Sequence, residues 1–343
     1  MKQYTGRERI QAAFNREYAD RVPLHLDVGP HYAKEAGYSV EEYFGDTEKA
    51  LDTHIKALEA FPSDTVTVPQ NMQVSQNLAE AFRFKSGDRT VEPGCLKDKS
   101  ALQDMECIPT EEATGFRSFL EMCRRVSSIF KNEATRSFVV GPFTAAAQLR
   151  GPEQLMLDTA QDPQFVHDLM RLITELCKAR GLELGRTGLD IALFGDPTAS
   201  SGLISPQTYR DLVKPYHQEI FSYLREQLGE TVWLGLHICG FTDPIMEDMV
   251  ALELDYIEMD GPSSLQRMME VSQKKVVVRG NIGGELFIEG TKEQIEEAVK
   301  NCIDVAAKGS AYILSTGCQI PLNAPLENIK YFMEAGHNYG RYN

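Results

Sequence analysis

The chain has 343 residues, 42% of them hydrophobic and 25% charged, with a formal net charge of −15 at pH 7. That make-up fits a globular protein with a sizeable core, built as two average domains or as one large α/β unit. An acidic surplus spread along the chain makes nucleic acid a poor partner, and no apolar stretch reaches the length of a membrane span.

The N-terminus lacks the apolar segment of a signal peptide, and the seven cysteines, with no C-x-x-C pair, point to reduced thiols. A cytoplasmic location is the expectation. Eight runs rich in β-branched and apolar residues then follow in order: 22–27, 64–69, 137–143, 189–197, 231–240, 254–260, 275–282 and 311–318. Amphipathic stretches separate them, with helices predicted over 48–61, 162–184, 206–228, 292–307 and 326–335. Asp162-Pro163 and Ser205-Pro206 each set a capping side chain before a proline at the first helical position. Eight strands alternating with helices predict a (β/α)₈ TIM barrel. With no linker or fixed-period repeat, residues 1–343 read as a single domain. Residues 71–114 show Gly and Pro punctuation without a clear period and are read as an elaborated loop after strand 2.

Polar side chains gather at the carboxyl ends of these runs, the rim where barrels of this type build their sites. They are Asp27, Asp196, His237 with Cys239, Glu258 with Asp260, Asn281 and Cys318. His237 and Cys239 are two residues apart at a strand end, so both face the same way. Imidazole and thiolate suit zinc, and a catalytic site needs three protein ligands plus an exchangeable position, for which Cys318 at the end of another strand is the third. The plainer alternative is a hydrogen-bonded histidine and small buried cysteines. Cys95, Cys107, Cys123, Cys177 and Cys302 lack partners at ligand spacing and are read as structural. Asp260 or Glu258 is expected to take the fourth place at rest, or else to orient the histidine from outside. Asp196 is a further catalytic candidate, and His25, Asp27, Gln70, Asn71 and Asn281 are expected to meet the substrate.

The chain resembles the uroporphyrinogen decarboxylase superfamily, and within it the zinc-dependent methylcobamide:thiol methyltransferases typified by the methylcobamide:coenzyme M enzymes. The resemblance rests on Gly195-Asp196-Pro197, Ser205-Pro206, Lys214-Pro215-Tyr216, His237-Ile238-Cys239-Gly240, Gly280-Asn281-Ile282 and Gly317-Cys318, followed by Ile320-Pro321 and Pro325-Leu326-Glu327-Asn328. It implies zinc on His237, Cys239 and Cys318, with Asp260 as an acidic neighbour. It also implies a corrinoid carried by a separate protein and a small thiol that takes the methyl group. The reverse transfer, from a methoxy-, methylamino- or methylthio-compound to reduced corrinoid, uses the same parts. Tetrapyrrole decarboxylation is disfavoured, because residues 24–32 contain no arginine to pair with substrate carboxylates. A non-catalytic zinc protein or corrinoid-protein binding module is the remaining alternative.

Overall fold

A strand covered on both faces dispenses with hydrophobic alternation, and Ile191-Ala192-Leu193-Phe194 is such a run, buried at every position. Strands of this kind recur in the main sheet of the computed structural model, which describes residues 4–69, 80–87 and 89–342. In chain order the strands are β1 (Thr65–Thr67), β2 (Phe82–Phe84), β3 (Met105–Cys107), β4 (Ala134–Val140), β5 (Ile191–Gly195), β6 (Trp233–His237), β7 (Tyr256–Glu258), β8 (Val277–Ile282) and β9 (Tyr312–Thr316). Seven of them form one sheet in the order β1-β4-β5-β6-β7-β8-β9. The registers of β1 with β4, β5 with β6, β7 with β8 and β8 with β9 are parallel.

The first predicted strand, 22–27, is not one of the seven. Leu24 forms only an isolated bridge with Leu314. Leu314 donates to the Pro23 carbonyl and His25 to the Leu314 carbonyl, while on the other side Asp64 donates to Leu24. Pro23 has no N–H to extend that ladder, which keeps it short. The predicted loop 71–114 also differs: β2 and β3 pair antiparallel within it, Phe82 opposite Cys107. These two strands pair only with each other, and the Gly and Pro residues around them mask any apolar run.

The chain divides into two compact units, one of Met1–Asn71, Arg125–Arg136 and Asp255–Asn343, the other of Met72–Arg124 and Ser137–Leu254. In the first, α1 (Thr47–Ala60) is capped by the Asp46 side chain. In the second lie α2 (Pro142–Arg150), α3 (Pro163–Gly185), α4 (Pro206–Leu212) and α5 (Lys214–Leu228). Asp162 and Ser205 cap α3 and α4 as the sequence predicts, accepting from Phe165 and Thr208. The predicted helix over 206–228 is broken at Val213, because Pro215 has no N–H for the Asp211 carbonyl and its ring clashes there. The first unit ends with α6 (Lys292–Ala306) and α7 (Leu326–Tyr339), which pack on each other. Among the described residues no helix is long and apolar enough to cross a membrane.

Candidate metal centre

In the second unit, β6 ends at His237. Leu236 and Ile238 are buried, and the alternation of an extended chain leaves His237 and Cys239 together on the other side, both half-buried. His237 Nε2 lies 3.0 Å from Cys239 Sγ. Nitrogen and sulfur at zinc bond lengths occupy tetrahedral corners about 3.5 Å apart, so a slight opening of this pair admits an ion between them. Gly240 then turns the chain at φ 75°, a conformation that a side chain would strain.

Asp196 follows β5 and is fully buried. Its carboxylate accepts from the backbone N–H groups of Phe143 (3.1 Å) and Thr144 (2.6 Å) and meets His217 Nε2 at 2.8 Å.

In the first unit, Cys318 follows a glycine set hard against β7's exit. A Cβ on Gly317 would come within 2.7 Å of the Asp260 Cα and 2.6 Å of the Gly261 nitrogen, so this approach requires glycine. The Gly317 N–H is bonded to the Ile282 carbonyl. Cys318 and Asp260 are thereby carried on touching backbone segments. Asn281 spends its amide on the Ser263 carbonyl at 2.7 Å and the Asp260 carbonyl at 3.4 Å, tying the same turn to β8.

Glu258 has different company from Asp260. Its carboxylate binds Arg136, Arg279 at 2.7 Å and the Tyr256 hydroxyl at 2.9 Å, with all three charged residues 4–5% exposed. The sequence offers Glu258, with Asp260, as a fourth metal ligand or as a group that orients the histidine; in the fold its oxygens serve two buried guanidinium groups. Neither arginine stands out in the sequence, although Arg279 follows three valines and a charge there has to be paired. His25, expected at the substrate, joins this interior cluster: Arg136 donates to its Nε2 at 3.1 Å, and Nδ1 bonds the Thr65 hydroxyl. Both ring nitrogens are thereby engaged within the cluster. Asp27 is half-buried, and its negative charge adds to the raised pKa of Tyr43. Gln70 and Asn71 lie outside the described residues.

Burial, then the positive charges of Arg279 and Arg136, hold the His25 pKa well below 6.5, and burial lowers that of His54. The unfolded chain takes up these protons near pH 6.5 while the folded one refuses them, so stability is full above that pH and falls as the pH drops through it. Each histidine contributes a slope of up to about 1.4 kcal/mol per pH unit. Urea midpoints are expected to decline from pH 7.5 to 5.5, less steeply in His54→Phe; a flat profile contradicts both assignments.

The remaining thiols suit a structural role. All seven cysteines are free of disulfides. Burial pushes Cys107 up to about 11 and Cys123 up to about 12, and raises Cys95, Cys177 and Cys302 as well. Thiols held in the protonated form are poor metal ligands.

Over 99% of both chains, the sequence is 25% identical to the methylcobamide:CoM methyltransferase MtbA of Methanosarcina acetivorans. It is 28% identical to a methylated-thiol–coenzyme M methyltransferase of Methanosarcina mazei, over 57% of this chain and 51% of that one. Among solved structures, a methyltransferase from Methanosarcina mazei matches 98% of this chain and 99% of its own, at 21% identity and a TM-score of 0.76. The family model for uroporphyrinogen decarboxylase (URO-D) matches residues 5–339, and the chain belongs to that family.

Proposed function

We propose that this protein is a zinc-dependent methyltransferase that moves a methyl group between a corrinoid, carried on a partner protein, and a small thiol. The observation that carries the reading is the His237–Cys239 pair, 3.0 Å apart at the end of β6. Cys318 completes the proposed ligand set. Support for it comes from the Gly317 approach to Asp260, which fixes that cysteine's segment at a strand end, and from relatives whose names describe methyl transfer to coenzyme M.

One neutral imidazole and two thiolates make a set of donors suited to a dication, and they leave one coordination position open. When bound there, zinc would lower the pKa of a substrate thiol so that it enters the reaction as thiolate at neutral pH. Asp260 is proposed as the acidic neighbour of that thiol, held in place by Asn281. Asp27 is proposed on the substrate side, and Glu258 as the counter-ion that lets two arginines stay inside.

The same reading takes residues 1–343 as one domain and the sheet as the wall of a (β/α)₈ barrel. Residues 23–25 would be its remaining stave, supported by their backbone bonds to β9 and to Asp64.

Zinc-loaded protein mixed with methylcobalamin and a panel of small thiols is expected to consume the methylcobalt absorption and yield the thioether. The name of the Methanosarcina mazei relative also makes a methylated thiol a candidate donor, so reduced cobalamin with such donors is the second arm. No methyl transfer in either arm, with or without candidate corrinoid proteins, defeats the reading.

A further inference from the structure

The segment from His237 to Phe241 is gripped at both ends by the turn that follows β5. At its start, the Asp196 N–H donates to the His237 carbonyl at 2.8 Å, continuing the register that sets Gly195 opposite His237. At its end, the Ser201 N–H and the Ser200 hydroxyl both reach the Phe241 carbonyl, at 3.0 and 3.3 Å. Between these points Gly240 passes so close to Ser200 that a Cβ would lie 3.1 Å from its hydroxyl oxygen.

The gripping turn is itself anchored in the interior. The Asp196 carboxylate takes the first backbone N–H groups of α2 and the Nε2 of His217 on α5, while Tyr209 lies 3.3 Å from the other ring nitrogen of His217. Thr144 bonds the Thr198 hydroxyl and backbone, each at 3.1 Å. Asp196, His217 and Tyr209 are fully buried, so water does not compete for these bonds. A charge placed at this depth has to be held by several donors at once, and a shift of its carboxylate moves the backbone that supports His237.

The geometry points to Asp196 and Ser200 as positioning residues for the His237–Cys239 pair: they set its aim without touching substrate or ion. This inference rests on the zinc reading above, and it replaces a catalytic role for Asp196, whose carboxylate is enclosed by its donors. Groups that orient metal ligands from outside typically change affinity 10- to 100-fold when removed.

The test compares wild type, Asp196→Asn, Ser200→Ala and the core variant Phe116→Leu. Zinc affinity is measured by competition with a chromophoric chelator, the cobalt(II)-substituted spectrum is recorded, and the alkylation rate of Cys239 by iodoacetamide is followed in metal-free protein. Asp196→Asn is expected to bind zinc about 10- to 100-fold more weakly, with a shifted cobalt spectrum. Ser200→Ala, which removes the hydroxyl's bonds to the Phe241 carbonyl and from the Gly202 N–H and leaves the Ser201 N–H in place, is expected near the lower end, and Phe116→Leu is expected to lower the melting temperature alone. Both positioning variants are expected to alter Cys239 alkylation several-fold. Wild-type affinity and alkylation in both variants overturn the inference, whatever their melting temperatures. Wild-type protein that binds no zinc, with alkylation still altered in the variants, defeats the zinc reading and leaves the positioning role standing.

Discussion

Cys239→Ser is expected to lose its zinc on dialysis against a chelator, and methyl transfer with it. A serine hydroxyl stays protonated where a thiolate donates its charge, so the substitution removes both a bond and a negative charge from the set. The loss in affinity should exceed the roughly 100-fold reached by outer-shell changes. His237→Ala and Cys318→Ser are expected to behave alike, since each leaves two ligands. Cys95→Ser, outside the proposed set, should keep its zinc and its turnover. Metal analysis of the dialysed proteins, followed by the methylcobalamin assay, reads the result. Retention of zinc by Cys318→Ser, with loss in the other two, would remove Cys318 from the set and leave a two-residue site that needs a different third donor.

The residues proposed for this site stand out in the sequence because each sits where a periodic element stops. His237 and Cys239 share a face by simple alternation, and Gly317 marks the backbone approach that sets Cys318. The strands of the seven-stranded sheet fall in runs rich in β-branched and apolar residues because most of their positions are buried. What the sequence hid depends on pairing between distant residues. Arg136, Glu258 and Arg279 come from three different strands, and nothing local in any of them announces the other two. Asp196 illustrates the difference: its position at a strand end could be predicted, but its partners Phe143, Thr144 and His217 lie 21 to 53 residues away in sequence. Two differences have another cause. The strand predicted over 22–27 shrinks to a bridge at Leu24, where Pro23 supplies no N–H to the ladder, and β2 and β3 pair only with each other inside a segment whose Gly and Pro punctuation hides them.

Glu258→Gln is expected to destabilise the protein by about 3–5 kcal/mol, the usual result of removing one partner from a buried ion pair. Two guanidinium groups, 4–5% exposed, would then share an amide oxygen in place of a carboxylate. Among the described residues, the Nε atoms of both Arg136 and Arg279 are buried without a hydrogen-bond partner, so Glu258 is the acceptor on which both groups depend. Each uncompensated charge carries its own desolvation penalty, so removing one of them should relieve part of the damage. Glu258→Gln combined with Arg279→Met is accordingly expected to be more stable than Glu258→Gln alone, although it carries one more substitution. Urea unfolding of wild type, both single variants and the double variant supplies the cycle, and the coupling between the two sites should be at least about 1 kcal/mol. Were Glu258→Gln to unfold within about 0.5 kcal/mol of wild type, as a surface change does, the arginines would have to be solvated in the folded protein and the interior ion pair would not be what keeps them there.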